Sequence, residues 1–470
     1  MSTSTLSAIL AFGVAVAAYC FLAPANTANV PRIGPKPSFL GNTSKSFFSK
    51  HSLQLLEEGY AKYRDGLYSL WTTDMDRVIV SPLFMKDFMS LPRSVVRLTA
   101  SIRHAGPYTG MDIPAYEEIV YALNKKLEGM QSSQGGFKVA VFPQMIELVT
   151  CASARVFVGP ELCRNPDWLA TATGYTLDVA KVTTDLNRYY RIFHPFIAPF
   201  LKSRQQIKTR FTLAKKLLAP LIESRRSKAN PPSPDMIQWL VDTATGSDAT
   251  TDNIVRRMLF LNMAAIHTTA EVLTHNIFEL CERSETLQML REEMLEALPE
   301  NSSVRLTTLN SDLKKTDSFI KESHRLNPLG FMTFNRHLVA PVRLHNGVTL
   351  PANTYISINH YSRQRDPDVY PEPLLFDALR FYRLRQQSGE SEQHQFASIS
   401  STEPWWGVGK FACPGRQWAS AQVKLVLMAV LLGFDIGFPE GQSKKPERVV
   451  QAEKLRTSFT QQIILKRRER

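Results

Sequence analysis

Cysteine is scarce in this chain. Five stand in 470 residues: Cys20, Cys151, Cys163, Cys281 and Cys413. The count is odd, the spacing is wide and no Cys-x-x-Cys occurs, so neither a disulfide scaffold nor a zinc knuckle is indicated. Internal repeats and long low-complexity tracts are also missing, which excludes solenoid and array architectures. No Gly-x-Gly-x-x-Gly opens a βαβ unit, so the chain shows no nicotinamide or flavin site of its own. The formal net charge is +13, yet the basic residues are scattered and only Lys466 to Arg470 form a run. Without a basic stripe interleaved with aromatics, nucleic acid is not the expected partner. A membrane surface or an acidic protein fits the positive balance better.

What is present is an ordinary globular balance, 44% apolar and 21% charged. The N-terminus departs from it. Leu6 to Ala23 carries no charge, and a helix of that length spans about 27 Å, close to the thickness of a reticulum bilayer. Arg32, Lys36, Lys45 and Lys50 follow it and no Lys or Arg precedes it. Positive-inside logic then leaves the bulk of the chain in the cytosol. The rival is a cleaved signal peptide ending near Ala23 to Ala25, but the positive n-region of such a peptide is lacking. The expected plan is a membrane anchor over 1–29, with its transmembrane part at about 6–23. A Pro/Gly-rich hinge over 30–42 and one catalytic domain over 43–470 follow. The sequons at Asn42 and Asn301 should carry no sugar in a cytosolic domain.

Apolar spacing predicts an amphipathic helix over 52–63 and long helices near 140–158, 166–186, 190–226, 251–282 and 285–298. "LYSLWTT" and "RVIVSP" read as a strand pair, with further strands over 336–358 and at the C-terminus. Residues 366–404 read as irregular. The fold class is mainly α with minor β.

Among the cysteines, Cys413 has an unusual setting, "EPWWGVGKFACPGRQWAS". Gly407 and Gly409 permit backbone conformations closed to other residues and let a flat ligand approach. Pro414 and Gly415 precede an apolar-periodic run, which places Cys413 at a helix N-terminus, where free amides favour a thiolate. Trp406, Phe411 and Trp418 supply apolar surroundings and no second metal ligand lies nearby. That setting suits one axial thiolate on a haem better than zinc.

The stretch resembles the haem-binding signature of the cytochrome P-450 family. Trp406 stands where the family usually has Phe, followed by Gly409, Cys413 and Gly415. "KESHR" resembles the family's Glu-x-x-Arg helix through Glu322 and Arg325. "YPEPLLFDALRF" supplies Arg380, which in the family completes a structural charge triad. "MAAIHTTAE" looks like the oxygen-binding helix motif, with Ala264, Ala265 and Thr268 on one face. His267 replaces the usual acid there.

The resemblance implies a helical bundle around haem b plus small β-sheets, with Cys413 as the axial ligand and Thr268 as the hydroxyl serving oxygen. Trp406, Gly409 and Gly415 would lie against the haem. Arg336, Lys410 and Arg416 are candidates for its propionates, with Lys125 and Lys126 as weaker ones. Ala264, Ala265, Phe331, Met332 and Thr333 would line the substrate pocket, with Thr457, Ser458 and Phe459 as further candidates. The implied reaction is hydroxylation or multi-step oxidation of a hydrophobic small molecule, using dioxygen and electrons from a separate NADPH-cytochrome P-450 reductase or cytochrome b5. The wording "AAIHTT" and "CPGRQWA" is similar to filamentous-fungal enzymes that oxidise terpenoids, so a terpenoid or meroterpenoid secondary metabolite is the expected substrate. The implied location is the endoplasmic reticulum membrane, single-pass. A haem-thiolate isomerase or dehydratase would lack the threonine pair, and Thr268 and Thr269 are both present. A non-enzymatic haem-binding protein would need no apolar pocket.

Overall fold

The computed structural model describes residues 29–35, 42–73, 75–89, 91, 96–97, 112–132, 135–189, 193–227, 233–298, 306–401 and 403–468. The expected anchor at Leu6 to Ala23, Cys20, residues 36–41 of the hinge and the Asn301 sequon lie outside these residues.

Nine helices longer than ten residues dominate the described chain. They are α1 (Asn42–Tyr63), α2 (Asp112–Leu127), α3 (Val141–Leu162), α4 (Pro166–Leu186), α5 (Lys202–Ser227), α6 (Thr251–Glu282), α7 (Ser284–Ala297), α8 (Lys314–Leu326) and α9 (Arg416–Gly433). Their boundaries have local causes. Asn165 accepts a hydrogen bond from the Trp168 amide at 3.0 Å and Pro166 follows, which starts α4. Thr250 caps α6 through the Asn253 amide. The expected helix over 190–226 is instead broken. His194–Ile197 and Ala198–Phe200 form separate short turns before α5, because Pro195 and Pro199 lack the amide that a continuous helix needs. The expected irregular stretch 366–404 contains one short helix, Arg380–Arg385.

The helices α2 to α9 share one core. The central α6 packs against α3, α4, α5, α8 and α9. α3 is long and apolar enough to cross a membrane, but 78% of its most apolar window is buried inside the protein, so it is a core helix.

The sheets are small. One has five strands in the order β1 (Leu67–Trp71), β2 (Asp76–Val80), β8 (Tyr355–Asn359), β5 (Met332–Leu338), β3 (Val96–Arg97). β1 and β2 form the expected hairpin, with Leu67 opposite Val80. β5 and β8 are antiparallel with a register shift between Thr333 and Arg336. Phe334 sits in that bulge at φ 55°, a conformation a bulky side chain rarely adopts. A second sheet joins β4 (Phe137–Ala140), β12 (Gln462–Arg467) and β9 (Phe434–Gly437). Two hairpins remain, β6 (Val342–Arg343) with β7 (Thr349–Leu350), and β10 (Val449–Gln451) with β11 (Lys454–Arg456).

Candidate active site

Two 3-10 turns, Pro404–Trp406 and Gly409–Phe411, lead into α9. Gly407 has φ +74°, and a Cβ there would come within 2.9 Å of the Phe411 carbonyl, so only glycine fits. Gly409 has φ +57° and is exposed. Gly415 has an ordinary φ of −87°, and a Cβ there would meet open space, so its need for glycine does not come from the protein itself. The Cys413 amide donates to the Trp406 carbonyl at 2.6 Å, and the Trp406 indole N–H donates to the Phe396 carbonyl at 2.5 Å. These two bonds fold the loop back on itself.

Cys413 is half-buried at the start of α9. Burial raises its pKa above the ordinary thiol value. The backbone amides of Gly415 and Arg416, with the Arg416 charge, pull it back. Burial wins in the bare protein, so the helix N-terminus alone does not make the thiolate; a coordinated metal ion would complete the deprotonation. Cys151 and Cys281 have pKa values pushed up to about 12 by burial and are inert core thiols. No group of three or more His, Cys, Asp or Glu side chains able to hold a metal ion occurs among the described residues.

Arg336 is buried on β5, just past the bulge, and its guanidinium lies 4.3 Å from the Phe334 ring and 4.9 Å from the Phe411 ring. Nη1 donates to the Asn335 carbonyl, whereas Nε and Nη2 find no partner. Burial lowers its pKa to about 10. A buried guanidinium without a carboxylate is costly, and it invites an anion. Arg416 Nη1 donates to the Cys413 carbonyl and its Nε is unpartnered. The Lys410 side chain is outside the description. Lys126 instead pairs with Glu147 at 3.6 Å, and Lys125 lies over the Tyr121 ring, both on a solvated face of α2.

On α6, Ala264 and Thr268 are exposed in the middle of a helix whose flanks are covered, and Ala265 is half-buried. The Thr268 hydroxyl donates to the Ala264 carbonyl at 2.6 Å. His267 points elsewhere. Its Nε2 meets the Thr173 carbonyl of α4 at 3.1 Å, which makes that nitrogen the N–H, and burial lowers its pKa. It is a helix-packing residue. Met332 is almost fully buried, and Thr333 is half-buried with an unpartnered hydroxyl. Phe331 has no exposed surface and packs edge-on against Tyr361 at 4.9 Å. This corrects the expectation that it lines a pocket: it is core.

Glu322, Arg325 and Arg380 come together. Arg325 grips Glu322 through two parallel bonds of 2.8 Å, with both side chains fully buried. Arg380 Nε reaches both Glu322 oxygens at 3.2 Å. Arg325 also donates to the carbonyls of Gln364 and Pro373, tying the segment ahead of the cysteine loop to α8. Beside this cluster stand buried charges that the motifs do not mark. Lys321 pairs with Glu403 at 2.7 Å, and Lys424 pairs with Asp317 at 2.6 Å. Asp317 also accepts from the Phe396 amide. A single lysine within the apolar run "AQVKLVLMAVLLG" was the one sequence signal for Lys424.

The cytochrome P450 family model matches residues 113–458. A cytochrome P450 monooxygenase of Emericella nidulans, AN1598, is 30% identical over 90% of this chain and 84% of its own length. The ent-kaurene oxidase of Gibberella intermedia is 31% identical over 93% of this chain and 88% of its own. The fold is shared with the retinoic-acid-bound cyanobacterial CYP120A1, with a TM-score of 0.68 and 17% identity over 94% of this chain and 99% of that one. The helix-rich bundle with small sheets is therefore the fold of this family. The chain belongs to the cytochrome P450 family and is a monooxygenase, an oxidoreductase that implies a haem, a redox partner and a small-molecule substrate.

Proposed function

We propose that Cys413 holds the haem iron and that the chain oxidises a terpenoid-type intermediate of fungal secondary metabolism. The observation that carries the site is the pairing of a half-buried thiol, facing two backbone amides, with a buried guanidinium that has no anion. The residues present fit haem. Cys413 offers one soft axial donor, Trp406 and Phe411 offer apolar surface, and Gly409 and Gly415 leave room for a flat group. Arg336 and Arg416 have free donors for carboxylates. Lys410 is kept as a third donor on its position beside Gly409. Bound there, haem supplies dioxygen activation under the electron push of a thiolate.

The protein's own groups do the rest. The amides of Gly415 and Arg416 hold the sulfur's charge. Thr268 keeps a hydroxyl at the open face of α6, flanked by the small Ala264 and Ala265. Met332 and Thr333 on β5 add one apolar and one polar contact for a substrate. The Glu322–Arg325–Arg380 cluster fixes the loop and takes no part in the chemistry.

The terpenoid reading rests on relatives such as the ent-kaurene oxidases, together with the apolar side chains of Ala264, Ala265 and Met332. Electrons arrive from an NADPH-cytochrome P-450 reductase, with cytochrome b5 as a second donor. The domain plan stays as above: anchor 1–29, hinge 30–42, catalytic domain 43–470, at the endoplasmic reticulum membrane. Phe193, Phe196 and Phe200 are exposed just ahead of α5, Phe200 at 82%, with Lys202 beside them. Such a patch supports contact with a bilayer. Comparing the metabolites of a producing host with and without the intact gene tests the substrate. Accumulation of a less oxidised terpenoid in the disrupted host is expected. Accumulation of a non-terpenoid precursor would replace that substrate class.

A further inference from the structure

Each hydroxylation puts one oxygen atom of dioxygen into a C–H bond and releases the other as water, consuming two electrons and two protons. The redox partner brings the electrons. The protons must enter through a largely apolar core. On α6, Ala264, Thr268, Glu271, His275 and Glu279 follow one another at helical spacing and so share one face. The first two are exposed; the last three are buried. One stripe of the central helix therefore carries polar groups from the open face of Thr268 into the interior.

Glu271 is the carboxyl next to Thr268, one turn along. The charges facing it come from β11. Arg456 Nη1 stands 3.9 Å from Glu271 Oε2, at the limit of an ion pair, and Lys454 lies beyond it. Arg456 is 36% exposed, so this edge meets solvent. On its own helix the titratable neighbours are His267, which is turned towards α4, and His275, which burial keeps neutral. Glu279, by contrast, is held by Arg283 at 2.5 Å, by Lys445 and by Asn327. Burial raises the Glu271 pKa, while Arg456 and Lys454 lower it. The Thr268 hydroxyl donates to the Ala264 carbonyl, which leaves its oxygen lone pairs able to accept a proton.

We propose that Glu271 is a proton-relay residue, taking protons from solvent at the Arg456 edge of β11 and passing them to Thr268 across one helical turn. The carboxyl O–H breaks as its proton passes to the Thr268 oxygen, directly or through a bridging water; the hydroxyl's own O–H breaks in turn as its hydrogen leaves the Ala264 carbonyl for the open face of α6, and the carboxylate regains a proton from solvent. No electrons move. Glu271 acts through Thr268 and is a positioning residue. The proposal rests on the monooxygenase site described above.

The test uses full-length holoprotein with reductase, as wild type, Glu271→Gln, Glu271→Asp and Arg456→Gln. A carbon monoxide difference spectrum on every form first shows that the haem site is intact. Its loss from the wild type would count against the site and not against the relay. Infrared spectra over a pH series should show a carboxylic acid C=O band that persists above the ordinary carboxyl range and that Glu271→Gln removes. NADPH oxidation without added substrate should fall about tenfold or more in Glu271→Gln and recover in Glu271→Asp. The wild-type rate should decline as pH rises and the acid form is lost, and Arg456→Gln should move that decline to higher pH. Three results would each overturn the proposal: no such band, a Glu271→Gln rate equal to wild type, or equal losses in Glu271→Gln and Arg456→Gln with no change of pH profile. The last would make the pair a clamp for the β10–β11 hairpin.

Discussion

Replacing Arg325 by Ala should damage stability far more than replacing Arg380, although both touch Glu322. Arg325 is fully buried and makes two bonds of 2.8 Å to a carboxylate that is itself fully buried. Its loss leaves Glu322 with the longer Arg380 contacts and the Asp377 amide at 3.0 Å. Removing one partner of such a buried pair costs about 3–5 kcal/mol. The Gln364 and Pro373 carbonyls are orphaned at the same time, at about 1–3 kcal/mol each when water cannot reach them. The sum approaches the whole stability of a typical domain, about 5–15 kcal/mol. Arg380 makes three of its contacts at the protein surface, where water replaces it. Arg380→Ala should therefore cost about 1–3 kcal/mol. Arg325→Lys keeps the charge and loses the fork, and should fall between the two. Urea unfolding followed by tryptophan fluorescence gives the order of midpoints. If Arg325→Ala does not fold at all, Arg325→Lys still has to unfold at lower urea than Arg380→Ala. An Arg325→Lys midpoint at or above that of Arg380→Ala would refute the reasoning.

Three further outcomes are expected. Thr268→Ala should leave haem bound but send more of the consumed NADPH to hydrogen peroxide; an unchanged peroxide-to-NADPH ratio would remove the role given to that hydroxyl. Arg336→Met should loosen haem by about tenfold to a hundredfold, the worth of one charge-assisted contact of about 1.5–3 kcal/mol, while leaving the haem-free protein at least as stable, because the guanidinium has no carboxylate there. Haem titration and urea unfolding of the apoprotein read the two effects, and unaltered haem affinity would contradict the assignment. Burial holds His324 down to about 4 and His360 to about 3, against an ordinary 6.5. The folded state then refuses protons that the unfolded chain accepts, so stability is full above pH 6.5 and falls as pH drops towards 4. The slope should reach about 1.4 kcal/mol per pH unit for each histidine. A urea midpoint that stays flat over that window would show that the two imidazoles take up protons in the folded state as readily as in the unfolded chain.

The sequence read well where structure is local. α4 and α6 begin and end where their apolar spacing and their caps, Asn165 and Thr250, place them. The β1–β2 hairpin was equally plain, since neighbouring strands pair through a short turn. Long-range pairings were not. β4 meets β12 from the far end of the chain, and no periodicity encodes that partner. The site divides the same way. Cys413, Thr268 and the Glu322–Arg325 pair sit in short motifs whose geometry is set by one helix or one loop. The orphaned guanidinium of Arg336 depends on a bulge at Phe334 and on the approach of Phe411, neither of which a one-dimensional pattern carries. Phe331 misled because it adjoins the Glu-x-x-Arg helix; β5 turns its ring towards Tyr361 and the core. Lys321 and Lys424 were missed because each finds its carboxylate, Glu403 or Asp317, only when distant segments fold together.

The central claim is that the sulfur of Cys413 binds the iron, and the reduced carbon monoxide difference spectrum tests it most directly. The wild-type holoprotein should give the red-shifted band that a thiolate ligand produces, and Cys413→Ser should lose that band. A wild-type protein with the band of imidazole ligation, or a Cys413→Ser variant that keeps the thiolate band, would contradict the account.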